Sequence, residues 1–187
     1  MIHLSTFEKM FQAAKLCRLQ GLDIPMLVLI YSSIDTLAWA VFGASTKNVG
    51  ERFVKFCDEY LLTVENLKCT SLELYSARCS IVHNLGWESN LSTSGKARSI
   101  FYSFGTDNPS LAQEAYDKSY PGKFVAVRAD DLLNAVESSV ARLLSEAQVN
   151  PILRQRLNEA AGKQYMSLES KSSDELFAKV IANKGVT

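Results

Sequence analysis

The stretch IPMLVLIYSSIDTLAWAVFG, residues 24 to 43, constrains the fold more than any other part of the chain. It is long and apolar enough for a membrane span. Yet Ser32, Ser33, Asp35 and Thr36 interrupt its middle, where a lone carboxylate is costly in lipid. The reading that follows is a helix buried on nearly all sides inside a soluble bundle, with Pro25 in its first turn and Gly43 at its end. A helix of that kind must be surrounded by others.

Those neighbours are legible as amphipathic periods. Ser5 to Leu19 directs Phe7, Met10, Phe11, Ala14 and Leu16 or Cys17 inward and stops at Gly21. Lys47 to Leu62 does the same with Phe53, Phe56, Cys57, Tyr60 and Leu61. A further helix runs from Ser71 to His83 or Asn84 and ends at Gly86, the usual residue just past a helix. From Ala129, ADDLLNAVESSVARLLSEA presents Leu132, Leu133, Val136, Val140, Leu143 and Leu144, and after Pro151 one or two short polar helices follow.

Between these helices the character changes. RSIFYSF (98–104) and KFVAVR (123–128) are short β-branched or aromatic runs with Gly and Pro between them, and SLAQEAY adds a helical turn or two. We expect an inserted β-hairpin or small strand pair at about 98–128. The fold class is therefore mainly α: four to five long helices, a small inserted β-hairpin and short C-terminal helices. One domain covers 1–163, and 164–187 forms a polar extension, partly helical or frayed.

Composition narrows the function. The 20 basic and 20 acidic residues are intermixed, which argues against extended duplex-DNA binding. Cys17, Cys57, Cys69 and Cys79 form no CxxC pair and read as free thiols in a reducing compartment. His3 and His83 are too few and too far apart for a zinc site. No metal or other cofactor is expected, and with no signal-peptide pattern the expected location is cytoplasmic.

What chemistry there is concentrates in LYSARCSIVHNLGW, residues 74 to 87. At about 100° per residue, Leu72, Tyr75, Cys79 and Val82 form one stripe, and Leu74, Ile81 and Leu85 a second. Arg78 falls between them, in an apolar arc where an unpaired cation is expensive. His83 borders a polar strip of Glu73, Ser76 and Ser80, in the last turn, where the helix dipole favours positive charge. Arg78 and His83 together suit phosphate handling, but on geometry alone a structural Arg–Asp pair with a capping histidine is the favoured account. Asp35 either orients Arg78 or His83 or bonds locally within SSID. Tyr75 reads as core in preference to a base-stacking platform, and Arg154 and Arg156 as a solvated face in preference to an RNA contact.

RCSIVHN, Arg78 to Asn84, resembles the R-x4-H motif of the HEPN superfamily, near the end of a late bundle helix and followed by a turn. With SSIDTLAWA before it, the chain is similar to the plasmid- and defence-associated members in particular. The resemblance implies a homodimeric bundle whose paired motifs form an active site at the interface. It implies metal-independent endoribonuclease activity on an RNA substrate, as a toxin or defence effector, with an antitoxin protein as a further partner. Arg78 would bind the scissile phosphate, and His83 would act as general acid or base. Cys79 departs from the polar residue usual after the motif arginine, and Asn84 offers a compensating hydrogen bond. Some family members lack nuclease activity and serve as binding or assembly modules for RNA, a nucleotide or a protein.

Overall fold

The computed structural model describes residues 5–43, 45–64 and 67–163. His3 and the extension 164–187 lie outside them. The expected helices form: α1 (Ser5–Leu19), α2 (Asp23–Phe42), α3 (Val49–Phe56) and α4 (Ser71–Asn84). They are followed by the single turn α5 (Asn90–Thr93), strand β1 (Ser99–Ser103), α6 (Pro109–Ser119), β2 (Phe124–Arg128), α7 (Ala129–Val149) and α8 (Pro151–Gly162).

Helix α2 is the hub. α1, α3, α4, α7 and α8 all pack on it, and Met26, Ile30, Tyr31 and Ile34 are fully buried. It is the one described helix long and apolar enough to cross a membrane, and 56% of its apolar window is buried inside the fold. In α1, Phe7, Phe11 and Ala14 face the core; of the two alternatives at the next turn, Cys17 packs inward and Leu16 is exposed. The inward set of α3 holds throughout, but its last turn, Cys57–Leu61, widens to π geometry, with the Leu62 N–H donating to Cys57 O at 2.9 Å. The carbonyls of Glu59 and Tyr60 are then taken by α7, through Arg142 (2.9 Å) and Ser139 (3.2 Å).

Of the two expected forms, the inserted element is the small strand pair and not the hairpin. β1 and β2 pair in parallel, Ser99 opposite Phe124 through Ser103 opposite Arg128, and parallel strands need a crossover. SLAQEAY supplies it as part of α6, an 11-residue helix capped by Asn108 with Pro109 in its first turn. Gln113 on α6 donates to Phe124 O at 3.1 Å and accepts from the Ala126 N–H at 2.7 Å. One side-chain amide thus stands in for a third strand at the open edge of β2.

Side-chain bonds fasten the unit to the bundle and the bundle helices to one another. The Tyr31 and Tyr102 hydroxyls bond to each other between α2 and β1. Arg18 on α1 grips Asp130 at the start of α7, with Nη2 2.9 Å from Oδ2. That contact holds the Asp130 carboxyl below its ordinary pKa. Arg154 donates to Ala147 O (2.9 Å) and Arg156 to Val41 O (3.4 Å). Both arginines therefore cap helix ends, Arg154 from the solvated face its sequence suggested and Arg156 from a half-buried position.

Candidate functional site

Helix α4 begins with a complete capping box. The Thr70 hydroxyl accepts from the Glu73 N–H at 3.2 Å, and Glu73 accepts from the Thr70 N–H at 2.8 Å. At its other end the left-handed cap falls on Leu85 (φ 51°), one residue before the expected Gly86. The N–H groups of Leu85 and Gly86 close onto Ile81 O and Ser80 O.

The helix is rotated from the face its apolar residues suggest. Glu73, Ser76 and Ser80, expected as a polar strip, are buried, whereas Leu72 is 38% and Leu85 65% exposed. The reason lies in long-range partners. Ser76 meets Ser89 at 2.6 Å, Ser80 bonds back to Ala77 O, and Glu73 is held by Arg98 just before β1. Buried polar groups that satisfy one another cost little, so the serines pack under β1 and the loop that follows α4.

This rotation brings Arg78 to Asp35. Arg78 Nε donates to Asp35 Oδ2 at 2.7 Å, and Nη2 lies 2.6 Å from the same oxygen. Arg78 Nη1 is 3.0 Å from His83 Nε2. A guanidinium has no acceptor, so Nε2 must accept here, which leaves any ring proton on Nδ1. Both members of the ion pair are largely covered, with side chains 15% and 22% exposed, while His83 is exposed. Burial alone would lower the Arg78 pKa, but the hydrogen bond and charge of Asp35 outweigh it and raise the pKa above its ordinary value. The guanidinium is a fixed positive charge.

Of five guanidinium N–H groups, at most three are engaged by Asp35 and His83. The remaining guanidinium donors, with Cys79 also bearing on them, thus lie beside an exposed imidazole and a sheltered charge. Of the sequence-nominated residues, Asp35, Arg78 and His83 come together. Cys79 is half-buried beside them, and Asn84 is exposed at the helix end with no side-chain hydrogen bond among the described residues. Tyr75 belongs to the core, 5.6 Å from Phe53, with Gly50 so close that a Cβ there would lie 2.9 Å from its ring. Among the described residues there is no cluster of three or more His, Cys, Asp or Glu side chains suited to a metal.

One feature escaped the sequence reading. A cleft of about 1230 Å³ opens on another flank of α4, between the segment after that helix and the β1–α6–β2 unit. Its signal in the sequence is the aromatic content of 98–128 with Trp87 just past the helix, though nothing local joins the two. No protein-family model, curated protein or solved structure matches the chain.

Proposed function

We propose that the protein is a cytoplasmic, homodimeric, metal-independent endoribonuclease of HEPN type, acting as a toxin or defence effector. The observation that carries this is Arg78 joined on one side to Asp35 and on the other to His83. An incoming phosphate competes for the Nη1 donor, so that binding substrate releases the His83 Nε2 lone pair. Arg78 stabilises the charge that develops on the phosphate oxygens, and Asp35 acts as a positioning residue that fixes the guanidinium.

The RNA 2′-OH then attacks the adjacent phosphorus and loses its proton to a base, while the departing 5′-oxygen gains one. The products are a 2′,3′-cyclic phosphate and a 5′-OH. One histidine cannot deliver both proton transfers from one position, and an exposed His83 lacks the water exclusion that strengthens such chemistry. A second copy facing this edge supplies the other histidine and covers the site.

The test uses structured RNA in excess EDTA. Cleavage persists for the unmodified chain, and His83→Ala and Arg78→Ala each lower it by about 10²–10⁴-fold. A strictly monomeric mass in solution, or cleavage indifferent to both substitutions, removes the proposal.

The Asp35 ion pair favours a second reading, in which Arg78 ties α2 to α4 and the edge is a non-catalytic binding or assembly module. Under it, no RNA is cut and Arg78→Ala costs about 3–5 kcal/mol of stability, the price of breaking a buried pair.

A further inference from the structure

The wall of the cleft beside β1 and β2 is aromatic. Trp87 and Tyr116 lie 5.6 and 5.0 Å from Phe124, centroid to centroid; Phe101 is 4.8 Å from Tyr116, and Tyr120 stands edge-on to Phe124 at 5.9 Å. A contiguous cluster of this kind normally disappears into a core. Here Trp87 is 59% and Tyr120 50% exposed, and both line the cleft. Exposed aromatic surface on a concave wall is the signature of a ligand with flat faces of its own.

The polar lining says what else that ligand carries. Arg98 is occupied by Glu73, but Lys96 and Lys123 form no ion pair among the described residues. Backbone pairing fixes Lys123 at the mouth, since the Ser99 N–H donates to its carbonyl at 3.0 Å, which sets it beside Arg98 as the strands begin. Two unpaired ammonium groups against the single carboxylate of Glu88 leave the rim net positive. The turns that lead into the strands pass through Gly95 (φ 71°) and Gly122 (φ 67°), with open space where a Cβ would stand, so the mouth is unobstructed there.

An aromatic wall with a cationic rim is complementary to a base joined to a phosphate. We propose that this cleft binds nucleoside phosphates, the base stacked on Trp87 and Tyr120 and the phosphate held by Lys96 and Lys123. Its volume exceeds the usual 300–1,000 Å³ of a small-molecule site, leaving room for more than one nucleotide. The inference does not depend on cleavage at Arg78 and His83. It applies equally to a free nucleotide and to a nucleotide within a single strand of RNA.

The chain has two tryptophans, Trp39 and Trp87, so in the Trp39→Phe protein all tryptophan emission reports on the cleft. Adenosine and uridine monophosphates are titrated against this protein, in parallel with a 2′-O-methyl RNA hexamer whose blocked 2′-oxygens prevent self-cleavage. Saturable quenching is expected, weakened about tenfold in the Lys96→Glu, Lys123→Glu double variant and by a similar factor in Tyr120→Ser. Charge reversal at Lys9, exposed on α1, leaves it unchanged. Equal affinity for monomer and hexamer identifies a free-nucleotide site, whereas a hexamer bound about tenfold more tightly identifies a strand-binding groove. No saturable quenching by any of the three probes overturns the proposal, as does quenching that the lysine and tyrosine substitutions leave intact. Neither result bears on cleavage, which the EDTA assay reads separately.

Discussion

Helix α4 carries two arginine–carboxylate pairs on different flanks, and they are built to different ends. In the first, Glu73 is all but buried (side chain 6% exposed) and both its oxygens are in use: Arg98 bonds each of them, and the Thr70 N–H adds a third bond. In the second, Asp35 engages Arg78 through Oδ2 alone, and Arg78 keeps donors in reserve beside an exposed imidazole. A pair whose acceptors are filled can only stabilise. A pair with spare capacity at a solvent edge can also take a ligand, because binding adds hydrogen bonds without breaking the ion pair. The two flanks teach that identical residue chemistry divides into structural and functional roles by how much of its valence the fold has already used.

That contrast can be broken by substitution. The largest effect is expected from Glu73→Gln, which removes the charge facing Arg98 and weakens the capping box. We expect a loss of about 3 kcal/mol in denaturant unfolding. Asp35→Asn, at a more open and less saturated site, should cost about 1–2 kcal/mol, with a disproportionate loss of RNA cleavage. Equal stability losses in the two variants would erase the distinction.

Acid should reveal the saturated pair next. Burial works against the Glu73 carboxylate, but its bonds to Arg98 and Thr70 outweigh this and hold its pKa below the ordinary 4.5. Asp130, gripped by Arg18, is likewise held below 3.8. A depressed carboxylate contributes stability that is complete above its unfolded pKa and is lost as pH falls through the folded one. Stability should therefore hold down to about pH 5 and decline steadily below about 4.5. Glu73→Gln should shallow that decline; an unchanged slope would mean that the pair adds nothing at neutral pH.

The smallest change sharpens the comparison by touching neither pair. Leu85 holds a left-handed conformation that costs an L-residue about 1–2 kcal/mol. Leu85→Gly should relieve about 0.5–1 kcal/mol after the entropy that glycine adds to the unfolded chain. A loss of thermal stability instead would show that the exposed leucine side chain has packing value at the helix end.

Individual elements show how far local pattern reaches. The inward residues of α3 and most of those of α7 were legible because each faces one continuous core, so 3.6-residue periodicity and burial coincide. α4 was not, since Ser76 and Glu73 are buried against partners 13 and 25 residues away, and no wheel records such partners. The hairpin expectation failed for a related reason: α6 is long enough to return the chain parallel, and a short amphipathic run between two strands does not announce its crossover. Arg78, His83 and Asp35 were all nominated as candidates, but whether Asp35 bonded locally or across helices stayed open.

The sequence by itself determined a mainly helical chain around one apolar helix, and put Arg78 and His83 five residues apart near the end of another. Those properties are local, set by side-chain period, capping residues and the cost of a charge in an apolar arc. Only the tertiary structure decided that Asp35, 43 residues from Arg78, completes that pair, that the inserted strands run parallel, and that Trp87 joins the aromatic residues of the insertion in one cleft. Each of these joins groups distant in the chain, and only the packing of helices and strands fixes which of them meet.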